Sequence, residues 1–509
     1  MGDQEIYINN PNISFHVVTR IQEMHAIIGG VGPFDLLIEN GVDTGTRKRD
    51  LLRSLIYHVA DGGRYVVENL DTVHHSRSGG RYQPSVFDII LAAWVAKSGP
   101  QIGLGAGDRA LSDAVGAIEL SENMAIISKS GNHSWKLREE QIRVPSAQTE
   151  ILNIYPPQEV ESRALVETNN AALQESRFPR ILKYPEISLR SYANATAVPG
   201  QVYFQGSTVL PDSFRHFTRP YLRNRNLKDL GRDVAIGPPL APRLLPGQFY
   251  ALDSELPGHF GHITSEVVAR LWGWDEAKAK YPELKALVSK RGGGLLAEWE
   301  YELFEAAGID REDIHVHHEP VQVERLIAAT PMFSQPASVS TQIVEVWNTI
   351  GKKISPGIAD GPKKIFIGRK AGSSTRVCRN GADLENKFRE SGYMVVYPED
   401  LSIADQISLF RSAQHVAGYA GSGMFNLMFS GGAKDIIVIG SESYDAVNEY
   451  LIASALGGNL TYFWCVPDLP QPSSGWQLTS FFSDYEFDFR QDGELLDRVL
   501  SQAETTTSV

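Results

Sequence analysis

The chain has 509 residues, a net charge of −13 and an acidic pI near 5.5, with 42% hydrophobic and 21% charged residues. At roughly 100–200 residues per domain this length suits about three domains. The acidic balance excludes a general nucleic-acid binder and a polybasic membrane anchor.

Two cysteines, Cys378 and Cys465, rule out a disulfide framework and a Cys-rich zinc module, and a reduced cytoplasm is the simplest compartment. The start, Met1 to Glu5, carries neither the basic region nor the apolar core of a signal peptide. No apolar run approaches the ~18–20 residues of a membrane span, and no repeat with a period of ~20–50 residues is visible. The 45 glycines and 27 prolines suit many short α/β loops.

In chain order, a strand-like stretch at Ile13 to Val18 precedes Phe34 to Gly41, which reads as a buried parallel strand running into a loop. Arg49 to Val59 has helical apolar spacing, Asp61-Gly62-Gly63 reads as a turn, and Arg64 to Asn69 as a second buried strand. A helix follows at Phe87 to Ala96, then two strand-like runs between Ala114 and Ser128. This is α/β grammar. His74-His75 reads as a surface loop, since adjacent histidines lack the spacing and carboxylate partners of a metal site.

The words Ile38-Glu39-Asn40-Gly41 and Gly62-Gly63-Arg64-Tyr65-Val66-Val67-Glu68-Asn69 resemble the C-terminal half of a class I methyltransferase. Asn40 and Asn69 stand where that family has acids. The Gly-rich cofactor loop should lie upstream of Phe34, but Gly29-Gly30-Val31-Gly32 sits just before the strand rather than after it. The first βαβ unit, which would bind the nucleotide, is missing. The resemblance therefore implies a truncated Rossmann-like domain over 1–145, kept for packing or docking, with a working methyltransferase as the alternative.

Arg143 to Pro157 reads as a linker, and Pro238-Pro239 marks a second composition shift. In the middle segment, Thr264 or Ser265 can open a helix with Val267, Val268 and Leu271 on one face. His262 and Glu266, four apart, share a face there and could act as a general base and its orienter, or as a structural pair. Lys285 to Val288 reads as a strand, Ala297 to Ala307 as a helix stopped by Gly308, and Ile314 to His318 as a strand with His315 and His317 on one face. No third ligand accompanies those histidines, so no metal site is assigned.

From 350 onward, strands at Lys364 to Gly368, Tyr393 to Tyr397, His415 to Tyr419 and Asp435 to Ile439 alternate with helices at Asp383 to Ser391 and Ile403 to Ala413. A Rossmann-like half-sheet is the natural arrangement. The loop Arg369 to Arg379 gathers four basic residues, and Gly421-Ser422-Gly423 forms a tight strand-to-helix loop before Met424. Both suit an anionic ligand, such as a phosphate received by backbone N–H groups at a helix N-terminus.

The order of words from about 245 to 465 resembles glycosyltransferase family 61. It is carried by Phe260 to Glu266 with Arg270-Leu271-Trp272, by Arg369, Arg376 and Asn380, by Pro398 to Ser402, by Gln406 to Phe410, and by Ala420 to Phe429. The resemblance implies a GT-B pair of Rossmann-like domains, an acceptor domain over 158–350 and a nucleotide-sugar domain over 351–509. It also implies an inverting reaction without a divalent metal or a tightly bound cofactor. The donor would be a nucleotide-sugar, a UDP-sugar foremost, and the partner a glycan acceptor in cell-surface polysaccharide synthesis.

In this reading His262 and Glu266 are the catalytic pair, and Arg369, Arg376, Asn380, Ser422, Gly423 and Asn426 bind substrate. Three departures stand out: Ala420 replaces the family's His, Gly381 replaces its Glu, and the acid usual after the next strand is represented only by the displaced Glu442. These leave open a non-catalytic nucleotide-sugar-binding or scaffold protein. The truncated first domain would leave an exposed sheet edge, expected to pack on the transferase domains or on a second copy in a homo-oligomer.

Overall fold

The computed structural model describes residues 21–41, 45–70, 86–98, 106–143, 148–237, 241–290, 292–357, 361–370 and 375–506. The Ile13 to Val18 stretch, the His74-His75 pair and Pro238-Pro239 lie outside these residues. The chain forms two compact units, one of Met1–Glu150, Tyr203–Ser213 and Pro220–Leu240, the other of Ile151–Val202, Phe214–Arg219 and Ala241–Val509.

In the first unit a four-stranded sheet has the order β1 (Phe34–Glu39), β2 (Val59–Glu68), β4 (Met124–Lys129), β3 (Val115–Ser121), with β1 and β2 parallel and the remaining pairs antiparallel. Two expectations change here. Asp61-Gly62-Gly63 is not a turn between elements but a bulge inside β2: Phe34 pairs with Val59 while Leu36 already pairs with Arg64, and Gly62 takes φ 79° to absorb the extra residues. β1 is parallel, as expected, but it is an edge strand rather than a buried one, with Leu36 and Ile38 each about half exposed. The unit's core packs Leu52, Ile56, Tyr65, Val67, Leu111 and Ile127. The segment read as a linker contains the strand Thr149–Tyr155.

Two larger sheets of the second unit position the site. In one, Val321–Ala329, Arg243–Ala251, Lys285–Ser289 and Ile314–His317 run parallel in that order, and Ile187–Ala193 pairs antiparallel with Val321–Ala329. The other is a six-stranded parallel sheet: Met394–Val396, Lys364–Ile367, His415–Tyr419, Lys434–Ser441, Gly458–Cys465 and Ala164–Thr168. Taking the first five by their sequence, the spatial order is 2-1-3-4-5, a doubly wound arrangement. Ala164–Thr168 joins it from far upstream in the chain.

Both faces of this sheet are buried. Ile365, Ile367, Val416, Ile436 and Val438 enter one apolar core, and the alternate residues Phe366, Ala417, Ile437 and Ile439 enter another. Near-continuous apolar runs are what such doubly covered strands require. The strand order reverses between Lys364–Ile367 and His415–Tyr419. The crevice at the carboxyl ends of those two strands is where doubly wound sheets bind ligands. Gly368-Arg369 and Ala420 begin the loops there.

Among the described residues, no helix is long and apolar enough to cross a membrane, and no group of three or more His, Cys, Asp or Glu is placed to hold a metal ion. His317 instead lies buried against Asp253, with Nε2 3.0 Å from Oδ2.

Candidate active site

The helix carrying His262 and Glu266 does not begin at Thr264 or Ser265. It starts at Phe260 as an α-turn, takes π winding over Ile263–Val267, tightens to 3-10 winding over Val268–Gly273 and returns to α over Trp274–Lys280. Thr264 and Ser265 lie inside it, and their hydroxyls bond back to the carbonyls of Phe260 and Gly261. The π turn re-aims side chains locally, as such bulges do at functional sites. His262 Nδ1 stands 3.3 Å from Glu266 Oε2.

Glu266 is 4% exposed and is gripped by Arg215, whose Nε and Nη2 both donate to the carboxylate. Burial alone would raise the Glu266 pKa. The Arg215 guanidinium outweighs it and, with His262, holds the carboxyl at about 2. Glu266 is therefore fixed as an anion beside the His262 ring. Nothing in the local sequence pointed to Arg215, which comes from the short excursion Phe214–Arg219, 51 residues away. His259 adds a second ring, tilted against His262 with centroids 4.7 Å apart.

The arginine loop and the Gly loop meet at Gly421. Arg369 donates from Nη1 to Arg376 O at 2.6 Å and from Nη2 to Ala420 O at 3.0 Å, so it ties the two loops together. Arg376 lies with its guanidinium carbon 4.2 Å from the centre of the Tyr444 ring, a cation–π contact. Gly421 takes φ 140°, and a Cβ there would meet the Nη2 atoms of Arg369 and Arg376 at 3.2 and 3.4 Å. Glycine is needed at that point for both reasons. Ser422–Phe429 follows as a 3-10 helix, starting two residues earlier than the sequence implied.

The expected acid after the fourth strand is not Glu442. Glu442 turns to Asn170 Nδ2 at 3.3 Å, in a separate cavity of 580 Å³. The acid at the Gly loop is Glu449, one loop later in the helix Asn448–Leu456. It is fully buried and accepts the Gly421 N–H at 2.6 Å. Burial pushes it up to about 7, against the opposing pull of that N–H and of Arg376 and Arg369.

Two cavities open on these residues. One of 910 Å³ is lined by Arg369, Arg376, Ser422, Gly423, Phe260 and Trp299, among others. The other, of 690 Å³, is lined by His262, His259, Arg215, Arg376, Ser422 and Tyr444, among others. Arg376 and Ser422 form a wall common to both. A Cβ at Gly261 would stand 2.8 Å from Ser422 Cβ, so the His262 helix and the Ser422 helix touch there because residue 261 has no side chain.

The other expected substrate-binding residues are turned elsewhere. Asn380 spends its amide on the backbone of Phe487, donating to O at 2.8 Å and accepting from N at 3.0 Å. Asn426 is fully buried and donates to Gln406 Oε1 at 2.8 Å. Thus His262, Glu266, Arg369, Arg376, Ser422 and Gly423 come together, while Asn380 and Asn426 brace the loops behind them. Gly381 also has a structural reason: a Cβ there would stand 2.8 Å from the Tyr419 hydroxyl.

No curated protein matches the chain. Among solved structures, the chain is similar to the MycE methyltransferase from the mycinamycin biosynthetic pathway. A complex with Mg, SAH and mycinamycin VI gives 22% identity over 19% of this chain and 26% of that one, with a TM-score of 0.16. A complex with Mg and SAH gives 21% identity over 22% and 32%, with a TM-score of 0.18. The chain thus spans about a quarter to a third of the length of the structures it matches. The family model Glycosyltransferase 61 matches residues 260–437, from the His262 helix through the arginine and Gly loops. Over that stretch the chain is similar to the glycosyltransferase 61 family, and the family implies a glycosyltransferase.

Proposed function

We propose that the protein is an inverting, metal-independent glycosyltransferase of GT-B architecture that moves a sugar from a nucleotide-sugar, a UDP-sugar foremost, to a glycan acceptor. We place it in the cytoplasm, in cell-surface polysaccharide synthesis. The observation that carries this reading is the common wall: Arg376 and Ser422 separate a cavity bearing Arg369 and the Gly loop from one bearing His262.

The donor diphosphate would lie in the first cavity, against Arg369, Arg376 and the N–H groups of Ser422 and Gly423. A guanidinium and a helix N-terminus both favour the negative charge that grows on a leaving diphosphate. The acceptor hydroxyl would come from the second cavity. Its oxygen attacks the anomeric carbon while the bond from that carbon to the diphosphate oxygen breaks, and its proton passes to His262. The His262 ring, with Nδ1 3.3 Å from the ionised Glu266, is the group that would accept it. Arg215 serves by keeping Glu266 charged. Asn380 and Asn426 act by holding Phe487 and Gln406.

Thermal-shift and calorimetric titration with UDP, GDP and dTDP sugars tests this reading. Saturable binding of at least one, with transfer or slow hydrolysis abolished by His262→Ala, is the expected result. Stabilisation by none of them overturns it. Binding without any turnover points instead to a nucleotide-sugar-binding scaffold, which Ala420 favours: a buried methyl stands where the family's His would supply a polar group.

A further inference from the structure

The 690 Å³ cavity has a wall that the transferase chemistry above does not use. It is the segment from Trp476 to Phe482, which follows the last strand of the parallel sheet. Trp476, Leu478 and Phe482 are 55%, 55% and 37% exposed there, although each is a large apolar side chain. Trp476 and Phe482 are the outer part of an aromatic series. Arg376, in the wall common to both cavities, lies over Tyr444; the Tyr444 ring is 5.0 Å from Phe481, and Phe481 is 5.5 Å from Trp476. The series thus leads from the proposed donor cavity to an open indole. The Trp476 Nε1–H donates to Asp445 Oδ1 at 3.3 Å, which pins the ring beside a carboxylate.

Resting on the transferase reading, which seats the acceptor in this cavity, we propose that the acceptor presents a pyranose ring there, its C–H face lying on Trp476 and its hydroxyls on Asp445. Three features support a sugar over a peptide or a lipid. A fixed, flat indole matches the apolar face of a pyranose at little entropic cost. The adjoining carboxylate accepts up to about four hydrogen bonds and gives only one oxygen to the indole, which suits a ligand rich in hydroxyl donors. His262 lines the same cavity, so a hydroxyl on the stacked sugar has a proton acceptor within the same space. A purely apolar ligand would desolvate the Asp445 carboxylate without giving it a hydrogen-bond donor.

Saturation-transfer NMR tests this with methyl α- and β-pyranosides of glucose, galactose, mannose, N-acetylglucosamine and glucuronic acid, with UDP titrated separately. At least one pyranoside should bind, with transfer strongest to the C–H protons of one ring face. Trp476→Ala and Asp445→Ala should each weaken that binding roughly three- to tenfold, while Trp476→Phe retains most of it. UDP affinity should be unchanged in Trp476→Ala. Pyranoside binding that ignores both alanine substitutions overturns the proposal, as does UDP binding with no pyranoside bound. Failure of UDP to bind the unaltered protein overturns the donor reading, and this proposal with it.

Discussion

Arg215 holds Glu266 through hydrogen bonds from Nε at 2.8 and 2.9 Å and from Nη2 at 2.6 Å, and both side chains are largely buried. An ion pair this dry depends on both partners, because removing one leaves a charge without water or a counter-charge. Glu266→Gln should therefore cost about 2–4 kcal/mol at pH 7 in denaturant unfolding. The sign with pH follows from the depressed carboxyl. Folding favours the ionised form, so the contribution is complete above the ordinary value of 4.5 and is lost as pH falls toward 2. The shift from 4.5 to about 2 corresponds to roughly 3 kcal/mol. The stability gap between the unaltered protein and Glu266→Gln should close over that window, and a gap that stays constant from pH 5 to 2.5 would refute the assignment.

Arg376 is the residue on which the donor reading depends most directly. Its Nε has no hydrogen-bond partner among the described residues although it is buried, and its plane is set by Tyr444. Arg376→Ala should weaken UDP binding about 10- to 100-fold, the usual range for losing a charge-assisted hydrogen bond to phosphate. Arg376→Lys should not restore it, because an ammonium can neither stack on Tyr444 nor bond through a planar fork. Calorimetric titration reads both. Full affinity in the lysine variant would show that charge alone is required.

Much of this arrangement was legible in the sequence, for physical reasons. The parallel sheet announced itself through short apolar runs such as Lys364–Ile367 and Lys434–Ser441, since strands buried on both faces can only be apolar. The His262–Glu266 pair was visible because helical spacing brings i and i+4 together, even where the winding turned out to be π. Arg215 and Glu449 were not visible. Their partners come from distant segments, and no local period encodes a contact between Arg215 and Glu266. For Asn380 and Asn426 the motif position gives a residue type but not the direction of the amide, which in the fold is toward Phe487 and Gln406. The β1 strand was read as buried from its composition, yet its place at the sheet edge leaves Leu36 and Ile38 half exposed.

Glu449 makes a pH prediction opposite in sign to that of Glu266. Burial raises it to about 7, so folding favours its protonated form. Its contribution to stability is complete below 4.5 and is lost as pH rises to about 7. The charged and titratable groups around it are Arg376, Arg369, Tyr444 and Tyr462. It stands behind Gly421, at the loop proposed to receive the diphosphate. Binding a polyanion there should draw a proton onto Glu449. UDP affinity should therefore fall as pH rises from 7 to 8.5, with proton uptake visible as a dependence of the calorimetric heat on buffer ionisation enthalpy. The limit for one linked proton is about tenfold per pH unit. Glu449→Gln keeps an acceptor for the Gly421 N–H and should flatten the profile. Equal slopes in the two proteins would show that Glu449 does not titrate with binding.

The same substitution at two helical glycines should act in opposite directions. Gly351 lies in the helix Ile343–Ile354, where a Cβ would stand 2.4 Å from Phe429 O and 3.2 Å from Arg411 Nη1. Phe429 closes the 3-10 helix that begins at Ser422, so pushing it away disturbs the Gly loop at the other end. Gly351→Ala should destabilise by roughly 1–3 kcal/mol through overpacking, despite alanine's better helix propensity. Gly493 lies in the helix Phe489–Thr506 with nothing within 4 Å of its added Cβ. There only propensity acts, and Gly493→Ala should stabilise by about 0.5–1 kcal/mol. Denaturant midpoints of the two variants measure both effects. UDP affinity adds an independent reading: it should drop in Gly351→Ala, whose contact is with the helix below the anion loop, and stay unchanged in Gly493→Ala.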